Sequence, residues 1–280
     1  MRRIEADNRA GSNGLHCVNL LISDEITPVV LTFNEAANIG RTLGALQWAA
    51  RVVVVDSGSS DQTSEICRQF DNVVFLMHKF ESHAGQWNWA VADGNVSSKW
   101  VLALDADYFV APALADAMLK AVRQEKSAKG YSVKFLYCIF GRPLRASLYP
   151  PVTVLFQREA GHYVQDGHTQ RLTLTGDIEV LAEPMLHDDR KPFLHWLQAQ
   201  DRYASLEAAK LLRDSDAQIS WQQRIRRCTV IAPWAVPLYA LFGRGLILDG
   251  WRGLYYAMQR GIAEAILSVK LIEHRLARSK

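Results

Sequence analysis

The run Val52-Val53-Val54-Val55 has no polar residue on either face. Four consecutive β-branched apolar residues suit a strand buried on both sides, which is the pattern of a parallel sheet covered by helices. Comparable runs lie at 28–33, 51–55, 73–77 and 100–104, and helix-length segments at 35–48, 61–70 and 85–93 separate them. The alternation predicts β-α-β-α-β-α-β, an α/β fold with a Rossmann-like, mostly parallel central sheet flanked by helices. In such sheets ligands bind beyond the carboxyl ends of the strands, so the polar residues there are the first candidates for a site. Downstream, a helix is expected from Pro112 to about residue 126, then β-like runs at 131–140 and 152–157, and a helix at 193–213 that Pro192 can open.

Three polar clusters follow the strand runs: Thr32-Phe33-Asn34-Glu35, Asp56-Ser57-Gly58-Ser59-Ser60-Asp61 and Asp105-Ala106-Asp107. Each has a plain structural explanation. Thr32 and Glu35 fit a capping box, the serine-rich cluster fits a turn and helix cap, and aspartates at a strand end satisfy turn backbone. Asp105 and Asp107 also stand two apart, which in extended chain aims both carboxylates to one side. Two hard oxygen ligands at a sheet edge suit Mg²⁺ or Mn²⁺, which bind through one or two carboxylates plus substrate phosphates.

In that order, Thr-Phe-Asn-Glu, Val-Val-Asp-Ser-Gly-Ser-Ser-Asp and Trp-Val-Leu-Ala-Leu-Asp-Ala-Asp resemble the family 2 glycosyltransferases, in particular those of bacterial lipopolysaccharide-core and exopolysaccharide biosynthesis. The resemblance covers residues 27 to about 213. It implies a GT-A fold and an inverting, metal-dependent transfer from a nucleotide-sugar donor to a lipid-linked or lipopolysaccharide/exopolysaccharide acceptor. Thr32, Asn34, Glu35, Asp56, Gln86 and Asp105 would then hold the donor nucleotide, and Asp105, Asp107 and His187 the metal. Asp166, in Gln165-Asp166-Gly167-His168, is the matching position for the general base, with His168 as its rival. Two positions depart from the family pattern: Trp87 stands where a basic residue is common, and Tyr108 where an acid or another polar residue is common.

Of the chain's 32 basic and 29 acidic residues, ten and three fall between Trp221 and Lys280, a local net of +7; the first 220 residues keep 22 against 26. An acidic body thus precedes a basic end, and the whole-chain net of +3 gives nucleic-acid binding little support. The stretch 229–248 is largely apolar but broken by Pro233, Pro237 and Arg244, which favours an interfacial or re-entrant segment over a spanning one. Trp251, Leu254, Tyr255, Met258, Ile262, Ile266 and Val269 then recur at helical spacing. The expected organisation is a tail at 1–26, a GT-A domain at 27–220 and a C-terminal amphipathic helical extension at 221–280 that lies on an anionic membrane surface. Four scattered cysteines and no clear leader favour a cytoplasmic protein, here on the inner face of the bacterial inner membrane. The competing readings are a sugar nucleotidyltransferase, which would want a basic phosphate loop that 32–40 lacks, and a catalytically inactive sugar-nucleotide-binding protein on the membrane.

Overall fold

The computed structural model describes residues 22–124, 127–166, 169–213 and 221–278. Most of the expected 1–26 tail and the boundary at residue 220 lie outside these. The elements in chain order are β1 (Ile26–Thr32), α1 (Ile39–Gly44), β2 (Val52–Asp56), α2 (Thr63–Cys67), β3 (Val73–Met77), α3 (His83–Ala92), β4 (Trp100–Asp105), β5 (Tyr108–Phe109), α4 (Pro112–Arg123), β6 (Gly130–Val133), β7 (Phe135–Ile139), β8 (Arg142–Pro143), β9 (Val152–Gln157), β10 (Gly161–Asp166), β11 (Thr169–Leu174), β12 (Ile178–Val180), β13 (Met185–His187), α5 (Phe193–Arg213), α6 (Trp221–Arg227), α7 (Ala232–Leu238) and α8 (Trp251–Arg278).

The main sheet runs β12-β6-β9-β4-β1-β2-β3. Its β4-β1-β2-β3 half is parallel, as the apolar runs predict, and every residue of β2 is buried. Each fully buried valine there contributes about 1.5 to 3 kcal/mol. Register carries the functional consequence: Thr32 lies beside Asp56, and Leu31 beside Asp105, so the three strands end level.

The helices after β1 and β2 are shorter than expected. α1 starts only at Ile39, because Asn34 takes a left-handed φ of 54° and the chain from 34 to 36 is tied to the loop after β2. No capping box forms between Thr32 and Glu35; Thr32 ends a strand, and Glu35 bonds elsewhere. The β-like run 131–140 also divides. At Lys134 the chain leaves the main sheet, and β7 enters a second one, β5-β13-β7-β8, in which His187 stands opposite both Tyr108 and Tyr137.

The polar stretch after residue 160 forms the hairpin β10–β11. It is held to α3 by Asn88, whose side-chain amide donates to the carbonyl of Tyr163 at 2.9 Å and accepts from its N–H at 2.9 Å.

Beyond α5 the chain folds back on the body. Leu267 and Leu271 of α8 pack on Ala204, Ala208 and Leu211 of α5. Pro237 has no N–H, so the Pro233 carbonyl loses its helical donor, and this carbonyl faces Gly261 of α8 so closely that a Cβ there would lie 3.2 Å from it. Arg145 pairs with Asp249 at 3.1 Å, and Arg260 donates to the Tyr149 hydroxyl at 2.7 Å. No helix among the described residues is long and apolar enough to cross a membrane. The apolar stripe of α8 splits: Trp251, Met258 and Val269 face out, while the side packed inward holds Tyr256, Ala257, Leu267 and Leu271, together with the polar Glu264 and Ser268.

Candidate active site

Two loops at the ends of β1 and β2 interlock through side chains. The Asn34 N–H donates to Ser59 Oγ at 2.8 Å, and its side-chain oxygen accepts from the Ser60 N–H at 2.9 Å. The Glu35 N–H donates to Thr63 Oγ1 at 2.9 Å, and that of Ala36 to Asp61 at 3.0 Å. Asp56 is buried and accepts from the N–H groups of Gly58 and Ser59, at 2.9 and 2.7 Å, and from the Ser59 hydroxyl at 2.5 Å. A carboxylate has roughly four acceptor positions, so one stays open. Gln86 is buried beneath this loop, donating to Ser57 Oγ at 3.2 Å and to the His78 carbonyl at 3.1 Å. Trp87 packs on Tyr163, its ring 5.4 Å away, so the first departure from the family pattern is a core residue.

Asp105 closes β4 and Asp107 sits in the turn before β5. Burial and the neighbouring Asp107 charge hold the Asp105 carboxyl above its usual range, although the Tyr108 hydroxyl donates to it and lowers it. The second departure thus has a use, since Tyr108 is a hydrogen-bond donor to the acid pair. Burial would also raise Asp107, but the charge and hydrogen bond of His187, 2.9 Å from Oδ2, outweigh it and draw the group down. His187 is pushed up by the same contact against the downward pull of burial. The other oxygen of Asp107, Oδ1, is buried without a hydrogen-bond partner.

A buried acceptor left unpaired is costly and calls for a cation or a donor. Among the described residues no set of three or more His, Cys, Asp or Glu groups is arranged to hold a metal. His187, the expected third ligand, bonds Asp107 Oδ2 through Nε2. The two carboxylates with the free Oδ1 fit a hard ion that takes its remaining ligands from substrate phosphates and water.

Lys191 is the residue least visible in the sequence. It extends from the segment between β13 and α5 to Glu35, 2.5 Å away, and its charge acts on both Asp105 and Asp107. Burial raises the Glu35 carboxyl to about 7, against the pull of Lys191 and the hydrogen bond from Asn38. Asn38 is itself buried and ties three segments together: it donates to Glu35 at 2.8 Å and to Asp189 at 2.9 Å, and accepts from the Arg190 N–H at 2.9 Å. Arg41 reaches the Asp188 carbonyl, and the Asp188 N–H donates to Asp107 O at 3.0 Å. Tyr203 of α5 overlooks the same acids; burial and the Asp105 charge raise its hydroxyl.

The structure thus brings Asp105, Asp107 and His187 together, with Thr32, Asn34, Glu35, Asp56 and Gln86 around the level strand ends. The backbone of Asp166 ends β10, paired with Thr169, while His168 lies outside the described residues. Sequence reasoning missed Lys191, Asn38 and Tyr203. The polar run 187–191 just before Pro192 was the one available signal.

Comparison with known proteins bears on this arrangement. Residues 28–160 match the family model described as Glycosyl transferase family 2. The lipopolysaccharide core biosynthesis glycosyltransferase LpsC of Rhizobium meliloti (strain 1021) is 22% identical over 279 residues, covering 91% of this chain and 94% of its own. Among solved structures, residues 1–349 of S. aureus TarS in complex with UDP-GlcNAc align at 14% identity and a TM-score of 0.48, over 90% of this chain and 92% of that one. Glucosyl-3-phosphoglycerate synthase from Mycobacterium tuberculosis, solved with Mn²⁺, UDP and phosphoglyceric acid, aligns at 13% identity and a TM-score of 0.45, over 67% and 78%.

Proposed function

We propose that the chain, whose residues 28–160 match the Glycosyl transferase family 2 model, is a family 2 glycosyltransferase with a GT-A fold that catalyses inverting, metal-dependent transfer of a sugar from a nucleotide-sugar donor to a lipid-linked or lipopolysaccharide-type acceptor. The observation that carries this reading is the acid pair at the level strand ends, with Asp107 Oδ1 buried and unpaired. Asp105 and Asp107 would hold Mg²⁺ or Mn²⁺, which offsets charge on the departing diphosphate. The open acceptor position of Asp56 suits an N–H of the nucleotide base, and the interlocked 34–36 and 57–63 loops keep that carboxylate in place. Lys191, held by Glu35, supplies positive charge beside the acids.

In the transfer step the acceptor oxygen bonds to the anomeric carbon as the bond from that carbon to the diphosphate oxygen breaks. The acceptor proton passes to a base, for which Asp166 at the tip of β10 is our assignment. The relative LpsC supports a lipopolysaccharide-type acceptor, and such an acceptor sets the enzyme on the cytoplasmic face of the inner membrane.

Screening nucleotide sugars for nucleoside diphosphate release, with and without Mn²⁺, tests the reading. Metal-dependent release with at least one donor is expected. Pyrophosphate release from a nucleoside triphosphate and a sugar phosphate would instead identify a nucleotidyltransferase.

A further inference from the structure

We propose that α7, the turns that follow it and the start of α8 form a shallow insertion face for an anionic lipid bilayer, which holds the active site at a fixed height above the acceptor's membrane. The proposal rests on the lipid-linked acceptor reading and names the surface that serves it.

Part of the apolar surface of these helices faces outward, while two polar side chains of α8 face inward. On α8, Glu264 is 6% exposed and Ser268 7%, whereas Trp251 is 85% exposed and Met258 58%. The inward acid is neutralised by Arg226, 2.7 Å away. Upstream, Trp234, Leu238 and Phe242 recur at four-residue spacing on α7 and the helical turn that follows it through residue 243; all three are exposed, Trp234 at 73%, as is Val230 just before the helix. Ile247 and Leu248 continue the exposed apolar surface to Trp251. Single exposed apolar residues are ordinary, but a run of this length marks an interaction surface. Tryptophan and tyrosine, here Trp234, Tyr239 and Trp251, are the side chains that favour the boundary between water and lipid.

Charge identifies the occupant. The segment 221–280 carries ten Lys or Arg and three acids. Asp249 pairs with Arg145 of the body, Glu264 with Arg226 and Lys270 with Asp201 of α5, while Arg252, next to Trp251, has no acidic partner among the described residues. A second copy of this chain would bring the same net-positive segment to the contact, which opposes association; an anionic lipid surface attracts it. Since no described helix is long and apolar enough to span, and Pro233 and Pro237 break the apolar stretch, the face lies in the interface rather than across the bilayer.

The same helices are locked to the catalytic wall. Tyr256 of α8 packs 5.4 Å from Tyr137, and Tyr137 packs 4.5 Å from His187. Arg244 donates to the Ser147 carbonyl at 2.6 Å, and the Arg145–Asp249 pair fixes the end of the turn. Insertion therefore sets the position of the acid pair relative to the lipid.

The test uses the full chain with phosphatidylcholine vesicles, with and without phosphatidylglycerol. Wild-type protein should sediment with the anionic vesicles, and its tryptophan emission should be quenched by lipids brominated near the head of the acyl chain. The Trp234→Asp/Phe242→Asp double variant should lose about tenfold or more of this partition. It should keep nucleoside diphosphate release from a soluble donor, and the Trp234→Phe/Phe242→Leu variant should retain binding. Arg252→Gln should weaken binding to the anionic vesicles alone. Unchanged partition of the Asp variant, absence of quenching in the wild type, or a soluble dimer that the Asp variant dissolves would each overturn the proposal. The wild-type quenching result decides the matter even where the Asp variant fails to fold. Lipid binding without turnover of any nucleotide sugar would remove the reaction assignment and leave this surface standing.

Discussion

Replacing Lys191 by Met removes the positive partner of Glu35, a carboxyl already raised to about 7 by burial. A carboxyl raised in the folded state contributes stability that is fully present below its unfolded value near 4.5 and is lost as pH rises through the folded value. In the wild type the loss from this group therefore levels off soon above pH 7. Without Lys191 the carboxyl moves higher still, and the loss continues through pH 8. One further pH unit of this slope is about 1.4 kcal/mol, so the deficit of Lys191→Met against wild type should widen by that amount between pH 6 and pH 8. For a chain of this size that is roughly 3 to 5 °C in melting temperature. Thermal melts at the two pH values measure it, and the Glu35→Gln/Lys191→Met double variant should show no such widening. An equal deficit at both pH values, or a double variant as pH-sensitive as the single, would refute the account of Glu35 as a buried group held by Lys191.

Asp166→Asn should leave donor binding intact while lowering the transfer rate about 100-fold or more, and an unchanged rate would move the base elsewhere. Gly261→Val sets a branched side chain against the Pro233 carbonyl and the Pro237 ring, 3.2 and 3.3 Å from the new Cβ. It should cost about 1 to 3 kcal/mol in chemical denaturation, a size typical of overpacking; no loss would mean that the α7–α8 crossing is looser than described.

The parallel half of the sheet was legible because its signal is local. Val52 to Val55 are fully buried, and a strand covered on both faces writes that burial into consecutive residues. Asp105 and Asp107 were legible for the same reason, standing two apart at a strand end. The helix expected from residue 35 was overdrawn because its first turn is unwound by bonds to Ser59, Thr63 and Asp61, which lie 25 to 28 positions away. Lys191 was hidden more deeply, since its partner Glu35 is 156 positions distant and no periodicity reports such a pair. On α8 the apolar spacing was visible, but which stripe faces inward depends on α5 and α7. A buried Glu264 is unexpected from composition and is explained only by Arg226.

The central claim is that the acid pair of Asp105 and Asp107 drives sugar transfer from a nucleotide donor. Its most direct measurement is nucleoside diphosphate release by the wild type, Asp105→Asn and Asp107→Asn, each with Mn²⁺ and with chelator. The account predicts metal-dependent release by the wild type and a loss of about 100-fold or more in each variant, with folding unchanged. Undiminished release by both variants, or by the wild type in chelator, would contradict it.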